Sequence, residues 1–493
     1  MKKQAVIKKV FMRRSTFLGV AAALLLTAFV APTDVAAPTG PTFGTPVRLP
    51  TFKSCGGYEP GIALDKYGNI FVTAHKQNHC DAVALDPSAP DGVRAQSWLW
   101  TSIDGVNFVD MPGLANLAAA PDQLDVGDEG DIALDDSNHF YFVDTKVVDD
   151  SFTRWTVNGL GTSHMTQDIH RPVIPSLMPV DDRPWVIAHG ATTVMYAGNE
   201  GDKDSYNVGS TAAGCAGTVV APAPGQPALG GRYTVFLSHD AGATFDPVGC
   251  TLPDSGWCRP AADHNTGSPY LYMFCTNDAG ADDNINSPGD PGFTVGTLWS
   301  YVSADDGQTW KRYRVDSYNN DLPSGSTTNG DITWPAVTVA KNGDVYALFA
   351  DPSSVNRVKT GTTLNLYRST DHGAHWSKQN VTPPNAGLIR YSWMSIAGDG
   401  HTIGVGYFTH QSLGGNWHVY AGTSPKFGTT VTYSLVDPLE VAPAGDFAFG
   451  DFFEVGFDPV GRLDVVYTRC TELNPGDPTT DCLNSDVYFA RSK

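Results

Sequence analysis

Short apolar runs, each broken by a Gly, Asn or Asp turn, recur seven times along the chain. They read EPGIALDKYGNIFVTAH from Glu59, EGDIALDDSNHFYFVDT from Glu129, RPWVIAHGATTVMYAGN from Arg183 and RPAADHNTGSPYLYMFC from Arg259. The series continues as WPAVTVAKNGDVYALFA from Trp334, YSWMSIAGDGHTIGVGY from Tyr391 and FFEVGFDPVGRLDVVYT from Phe452. Each pairs two strands rich in Val, Ile, Phe and Tyr around a tight turn, which predicts a β-hairpin. A third strand follows in most units: AQSWLW, RYTVFLS, LWSYVS, LNLYRS or WHVYAG. In the clearer units it runs into a second turn, SADDGQTW from Ser303, STDHGAHW from Ser369, SHDAGATF from Ser238 and the shortened TSIDGVNF from Thr101.

Repetition at this period must be read before any single motif. Four strands per unit predict a propeller blade, because a four-stranded sheet buries both faces only against its neighbours in a ring. The expected fold is all-β, a propeller of seven four-stranded blades with six as the alternative. The last unit ends at its third strand, DVYFARSK, and the N-terminal TPVRLPTF supplies a lone strand to complete it. Residues 38–493 are thus expected to form one domain.

Residues 1–37 read differently. Six basic residues precede LGVAAALLLTAFVA, a run too short to span a membrane comfortably, and small residues and prolines follow. This predicts an export signal, with an uncleaved anchor as the alternative and the export route, general or twin-arginine, left open. The protein is therefore expected to be secreted or extracytoplasmic, without membrane insertion once the signal is removed. Removal takes away six of the 32 basic residues and one of the 52 acidic ones. An acidic surface of that kind repels nucleic acid and anionic lipid. Eight cysteines without a CxxC spacing favour disulfides in an exported chain. Local pairing is expected: Cys55 with Cys80, Cys215 with Cys250, Cys258 with Cys275, and Cys470 with Cys482.

The Ser-x-Asp-x-Gly boxes resemble the Asp-box, or bacterial neuraminidase repeat, of the sialidase superfamily, over the repeated body of the chain. The resemblance implies a propeller but not an activity, since such boxes also occur in other glycosidases and in non-enzymatic propellers. Family sialidases have six blades, and seven-bladed relatives include xyloglucan-type glycosidases and non-catalytic assembly factors. The boxes themselves read as scaffold: Asp305 can accept N–H groups of its turn, Gly307 can take positive φ and Trp310 can wedge between strands.

If the boxes mark one rim, the inner strands begin at the other. Their first residues form a column, Glu59, Glu129, Arg183, Arg259, Trp334, Tyr391 and Phe452, and strand alternation adds Asp131, Trp185, Trp393 and Glu454 two residues on. Nearby loops offer Asp182, Arg390 and Arg469. Carboxylates, guanidinia and aromatics together suit a sugar, whose hydroxyls take charged partners and whose ring faces stack on indoles. Paired carboxylates can protonate a leaving oxygen and activate water.

The sialidase resemblance implies three arginines clamping a carboxylate, drawn from Arg183, Arg259 and either Arg390 or Arg469. It implies Tyr391 as nucleophile with Glu454 or Glu129 beside it, and Asp131 or Asp182 as the acid. Substrate contacts would come from Glu59, Trp185, Trp334 and Trp393. The family's Arg-Ile-Pro motif is absent: Glu59-Pro60 stands in its place, and HRPVIP from His170 is a distant echo read as loop. The expected partner is an extracellular glycan or glycoconjugate, acted on by a sialidase-like glycosidase. The alternatives are another polysaccharide-degrading hydrolase or lyase, a non-catalytic glycan- or protein-binding propeller, or a purely structural ring of salt bridges around Glu59, Glu129, Arg183 and Arg259. No cofactor and no metal ligand are expected. Ca²⁺ in the oxygen-rich NDAGADDNIN loop is the alternative, although it lacks EF-hand spacing. The pair His75 and His79 follows a strand rather than lying on a helix, which argues against zinc.

Overall fold

The structure, a computed structural model, describes residues 40–51, 55–76, 97–113, 130–145, 150–172, 181–200, 232–246, 249–252, 255–276, 295–319, 334–351, 363–384, 386–410, 415–443, 453–473, 475–476 and 482–493. The export-signal expectation and the NDAGADDNIN loop fall outside them. Thr39–Lys493 is one compact unit.

Seven four-stranded antiparallel sheets make up this unit, each numbered from the axis outward. Blade 1 is β2 (Tyr58–Leu64), β3 (Ile70–His75), β4 (Trp98–Ser102) and β5 (Val109–Asp110). Blade 2 runs from β6 (Gly130–Leu134) through β7 (His139–Thr145) and β8 (Asp150–Val157) to β9 (Met165–Pro172), and blade 3 begins with β10 (Asp181–His189). The inner strands of blades 4, 5 and 6 are β14 (Trp257–Ala262), β18 (Ala336–Val339) and β22 (Leu388–Ile396). Blade 7 is β26 (Glu454–Phe457), β27 (Leu463–Leu473) and β28 (Cys482–Arg491), completed on its outer edge by β1 (Val47–Arg48). The N-terminal strand therefore closes the ring as its sequence predicts, pairing Val47 with Phe489.

What holds the ring is apolar contact across all seven seams. Phe71 stacks on Phe140 between blades 1 and 2, at 4.2 Å between centroids. Phe408 meets Phe453 between blades 6 and 7 at 4.6 Å, and Ile70, Val72, Val466 and Phe489 share the closing seam between blades 7 and 1. Each such buried side chain contributes about 1.5–3 kcal/mol. A blade alone would expose these faces, so the blades are stable only together.

The boxes join this packing as turns. Ser303 Oγ donates to Asp305 and accepts from Gly307 N, while Asp305 accepts Thr309 N at 2.8 Å and Thr309 Oγ1 at 2.6 Å. The residue before each full-length box glycine, Ala241, Asp306 or His372, lies at φ 56°. Gly242 itself lies at φ +82°, and a Cβ there would stand 2.1 Å from the Phe152 ring of the preceding blade. Glycine is required twice over, by the turn and by the seam. Trp310 is buried and donates Nε1–H to the Gly307 carbonyl.

Two disulfides lie where local pairing predicts, Cys258–Cys275 across β14 and its partner β15 (Leu271–Thr276), and Cys470–Cys482 at the end of blade 7. Cys55 and Cys250 are also disulfide-bonded; their expected partners, Cys80 and Cys215, are outside the described residues. One expectation is corrected: His170 to Pro172 lie on β9, the outer strand of blade 2, paired with β8, rather than in a loop.

Candidate functional site

Three inner strands begin irregularly. The register slips between Tyr58 and Gly61, between Asp182 and Trp185, and between Arg390 and Trp393. Glu59 and Tyr391, both column residues, occupy φ 52° and φ 46°. Pro60 and Pro184 sit inside two of these slips, where a residue without N–H leaves the ladder at least cost. Non-glycine residues at positive φ store strain, which is common where a strand re-aims a side chain.

Below the column, the ring gathers charge at its axis. Arg259 of β14 projects between indoles, its guanidinium carbon 3.2 Å from the Trp185 ring centre, 4.1 Å from that of Trp393 and 5.7 Å from that of Trp334. Two carboxyls face it from other blades. Glu454 Oε1 is 3.8 Å from Arg259 Nη1, and its Oε2 accepts the Ile62 amide of blade 1 at 2.8 Å. Asp131 Oδ2 accepts the Val186 amide of blade 3, also at 2.8 Å. Each carboxyl thus stitches its own inner strand to that of the next blade.

Burial governs their ionisation. Arg259 is 3% exposed, Glu454 7% and Asp131 8%. Desolvation lifts Glu454 to about 8; the guanidinium and the Ile62 amide oppose the lift, and the Asp131 charge adds to it. Desolvation lifts Asp131 to about 6 against the pull of Arg259 and of the Val186 and Ile132 amides. Burial thus holds both carboxyls above the ordinary carboxylate range, Glu454 more strongly than Asp131. A cavity of about 300 Å³ lies against Asp131, Arg259, Trp393 and Glu454.

Five predicted residues thus come together at the axis: Asp131, Glu454, Arg259, Trp185 and Trp393, with Trp334 behind them. Trp185 and Trp334 are each 1% exposed, and Arg259 already lies over the face of Trp185. They serve to hold the guanidinium. Trp393, half-buried, is the indole that lines the cavity. Tyr391 buries its ring beside Phe408, in the cluster that contains Trp417 and Phe453. Glu59 is buried at its bulge.

The other expected arginines are directed elsewhere. Arg469 of blade 7 pairs with Asp437, just past the outer strand of blade 6, at 2.8 Å and lies over Tyr488. Arg390 packs on Trp417. Asp182 and Arg183 stand on β10, but their side chains, like the whole of Glu129, are outside the described residues. His75 stacks on Tyr58 and meets the Lys76 carbonyl; His79 is not among the described residues.

Two groupings escape sequence reading. Lys76 is buried over Trp98, and desolvation lowers it to about 8 despite the nearby charges of Asp144 and Asp110; the two acids lie far along the chain, and no spacing announces the cluster. Several histidines, which look scattered in sequence, meet turn carboxylates on the box side of the ring, as in His139 with Asp135 and His375 with Asp371.

No protein-family model matches the sequence, and no curated protein is similar to it. Among solved structures, the chain is similar to a protein of unknown function from Dyadobacter fermentans, at 12% identity over 92% of this chain and 100% of that one, with a TM-score of 0.45. It is also similar to the GH74 enzyme of Niastella koreensis, at 13% identity and a TM-score of 0.44, covering 90% of this chain but 55% of that one. A polysaccharide lyase of family PL25, an ulvan lyase, is matched at 10% identity over 87% and 92% of the two chains, with a TM-score of 0.39. None of these likenesses assigns an activity to this chain.

Proposed function

We propose that the protein is an exported, carbohydrate-directed hydrolase whose acid and base are Glu454 and Asp131. The observation that carries this reading is the pair of buried carboxyls around one guanidinium, set against a cavity with an indole in its wall. Glu454, kept protonated by burial, donates to the leaving oxygen. Asp131 takes a proton from water, and Arg259 favours its ionised form. The disulfides fit an oxidising compartment, and no helix among the described residues is long and apolar enough to cross a membrane.

The finer sialidase-type reading asks for three arginines at one point. Among the described residues Arg259 alone of the proposed set stands at the cavity, so a neutral glycan is favoured over a sialoside. A second reading, a non-catalytic binding propeller, draws support from the near-complete burial of Arg259.

The test is hydrolysis of a panel of fluorogenic glycosides, a sialoside included, by the mature chain and by Glu454→Gln and Asp131→Asn. Turnover by the parent that falls by about 10²-fold or more in both variants, with melting temperatures retained, supports the hydrolase. Absence of turnover across the panel rejects it in favour of the binding propeller.

A further inference from the structure

The box rim of the ring is not uniform. In blades 3, 4 and 5 the first exposed position of the box is His239, Ala304 or Thr370, and the position after the box glycine is Ala243, Gln308 or Ala374. In blade 1 these positions hold Ile103 and Val106. The tips of the inner hairpins divide in the same way: Lys341 and Asn342 in blade 5 and Asp399 and His401 in blade 6, but Val460 in blade 7 and Tyr67 in blade 1. Leu160 tips the outer hairpin of blade 2. Ile103, Val106, Val460, Tyr67 and Leu160 are 37–77% exposed, whereas among the described residues no box or inner hairpin of blades 3 to 6 exposes a large apolar side chain.

The five form one surface. Arg491 approaches Asp458, in the Val460 hairpin, to 3.8 Å and also feels the charge of Asp104, in the blade 1 box. On the other side of that box, a Cβ at Gly161 would stand 3.8 Å from Ile103, and one at Gly68 would stand 4.0 Å from Leu160. Gly161 N donates to Asn69 of the Tyr67 hairpin at 2.7 Å.

We propose that this surface is where two copies of the chain meet, box rim to box rim, as a two-fold dimer. An interface of ordinary size takes about 800 Å² from each partner, about 65% of it apolar in homodimers. The five side chains offer on the order of 400 Å², most of that share.

A two-fold interface must also match its own charges, because each residue pair occurs twice with the roles exchanged. Asp104, between Ile103 and Val106, accepts the Val106 and Asn107 amides and the Asn107 side chain, each at 2.8 Å. Those bonds hold its carboxyl well below the usual carboxylate range. Lys66 stands beside Tyr67, its ammonium 5.4 Å from the ring centre. A second copy brings a lysine to Asp104 and a carboxylate to Lys66. Insertion into lipid would instead strip that carboxylate of water and offer no cation in return. The chain's net charge of −20 repels a second copy at a distance, but at physiological salt that repulsion is screened beyond about 8 Å. Contact at this rim leaves the opposite one, where the inner strands begin, clear in both copies.

Sedimentation velocity of the purified mature chain over a concentration series tests the dimer. Its dissociation constant is expected to be on the order of 1 µM. Ile103→Asp and Leu160→Asp, on different blades, should each weaken it at least tenfold. Lys66→Asp, which sets a carboxylate against Asp104 of the partner subunit, should weaken it roughly fivefold or more. Thr370→Asp, at the Ile103 position of the blade 5 box, should dimerise like the parent. All four positions are exposed, and a melting curve establishes that each variant folds.

A parent that remains monomeric about a hundredfold above that concentration overturns the proposal. So does a dimer that both Ile103→Asp and Leu160→Asp leave intact, or that Thr370→Asp weakens as much, since the contact then lies elsewhere. A monomeric parent that floats with neutral phosphatidylcholine vesicles, and fails to do so as Ile103→Asp, gives the surface to lipid instead. None of these residues lines the axial cavity, so the outcome is independent of the hydrolase reading.

Discussion

Replacing Glu454 by Gln removes one ionisable hydrogen while keeping the shape of the side chain and an oxygen for the Ile62 amide, which Glu454 accepts at 2.8 Å. The attraction forfeited is modest, since the nearest approach to Arg259 is 3.8 Å. The cost relieved is larger. An ordinary glutamic acid loses its proton near 4.5, whereas burial holds this one until about 8. Between those two values the folded protein carries a proton that the unfolded chain has released, so stability declines as pH rises across that window. At about 1.4 kcal/mol per unit, the full penalty above pH 8 is on the order of 4–5 kcal/mol, and it vanishes below pH 4.5. Gln pays none of it. Because melting entropy grows with chain length, 1 kcal/mol corresponds here to about 1 °C. The difference in melting temperature, Glu454→Gln minus parent, should therefore rise by about 3–5 °C between pH 5 and pH 9, measured by calorimetry in matched ionic strength. A difference that stays flat or falls with pH would refute the claim that Glu454 is a buried acid held protonated.

Further outcomes follow from the same geometry. If the protein turns over a glycoside, kcat/KM should be bell-shaped, falling as Asp131 takes up a proton below about pH 6 and as Glu454 loses one above about pH 8; a monotonic profile would remove these groups from the reaction. Arg259→Met leaves two buried carboxyls without their cation and should destabilise by roughly 3–5 kcal/mol at pH 8, read by urea unfolding, with a smaller loss at pH 5 where both carboxyls are protonated. Gly242→Ala combines positive φ with a 2.1 Å approach to Phe152 and should cost about 2–4 kcal/mol, whereas Asp305→Ala, which loses its turn bonds but no seam contact, should cost about 1–2 kcal/mol. Neither should alter turnover per folded molecule. Replacing Cys258 and Cys275 by Ala opens a sequence separation of 17 residues and should cost about 3 kcal/mol.

Much of the architecture was legible before any coordinates. Period-two alternation, turn residues at fixed offsets and the lone N-terminal strand point to blades and their closure, seven favoured over six, because strand pairing within a blade is local and the hydrophobic pattern sets its register. The box turns were equally readable: Ser303, Asp305 and Gly307 satisfy one another within five residues. The column at the start of the inner strands included Arg259, and alternation added Asp131, Trp185, Trp393 and Glu454.

Which of those residues meet was a different matter. Arg469 satisfies Asp437 of the neighbouring blade 6, Arg390 lies on Trp417, and Trp185 spends its face on Arg259, so an equal claim in sequence ended in unequal places. Nothing local distinguishes Arg259 from Arg390; what separates them is the side chains that other blades bring to the axis. The sequence by itself determined the repeating unit, its strands, its turns and the closure of the ring by the N-terminal strand. The tertiary structure alone decided that a glutamic acid from blade 7, an aspartic acid from blade 2 and an arginine from blade 4 share one desolvated point. Their ionisation, and any chemistry built on it, arises from burial and charge across seams, and those terms exist only once the ring is closed.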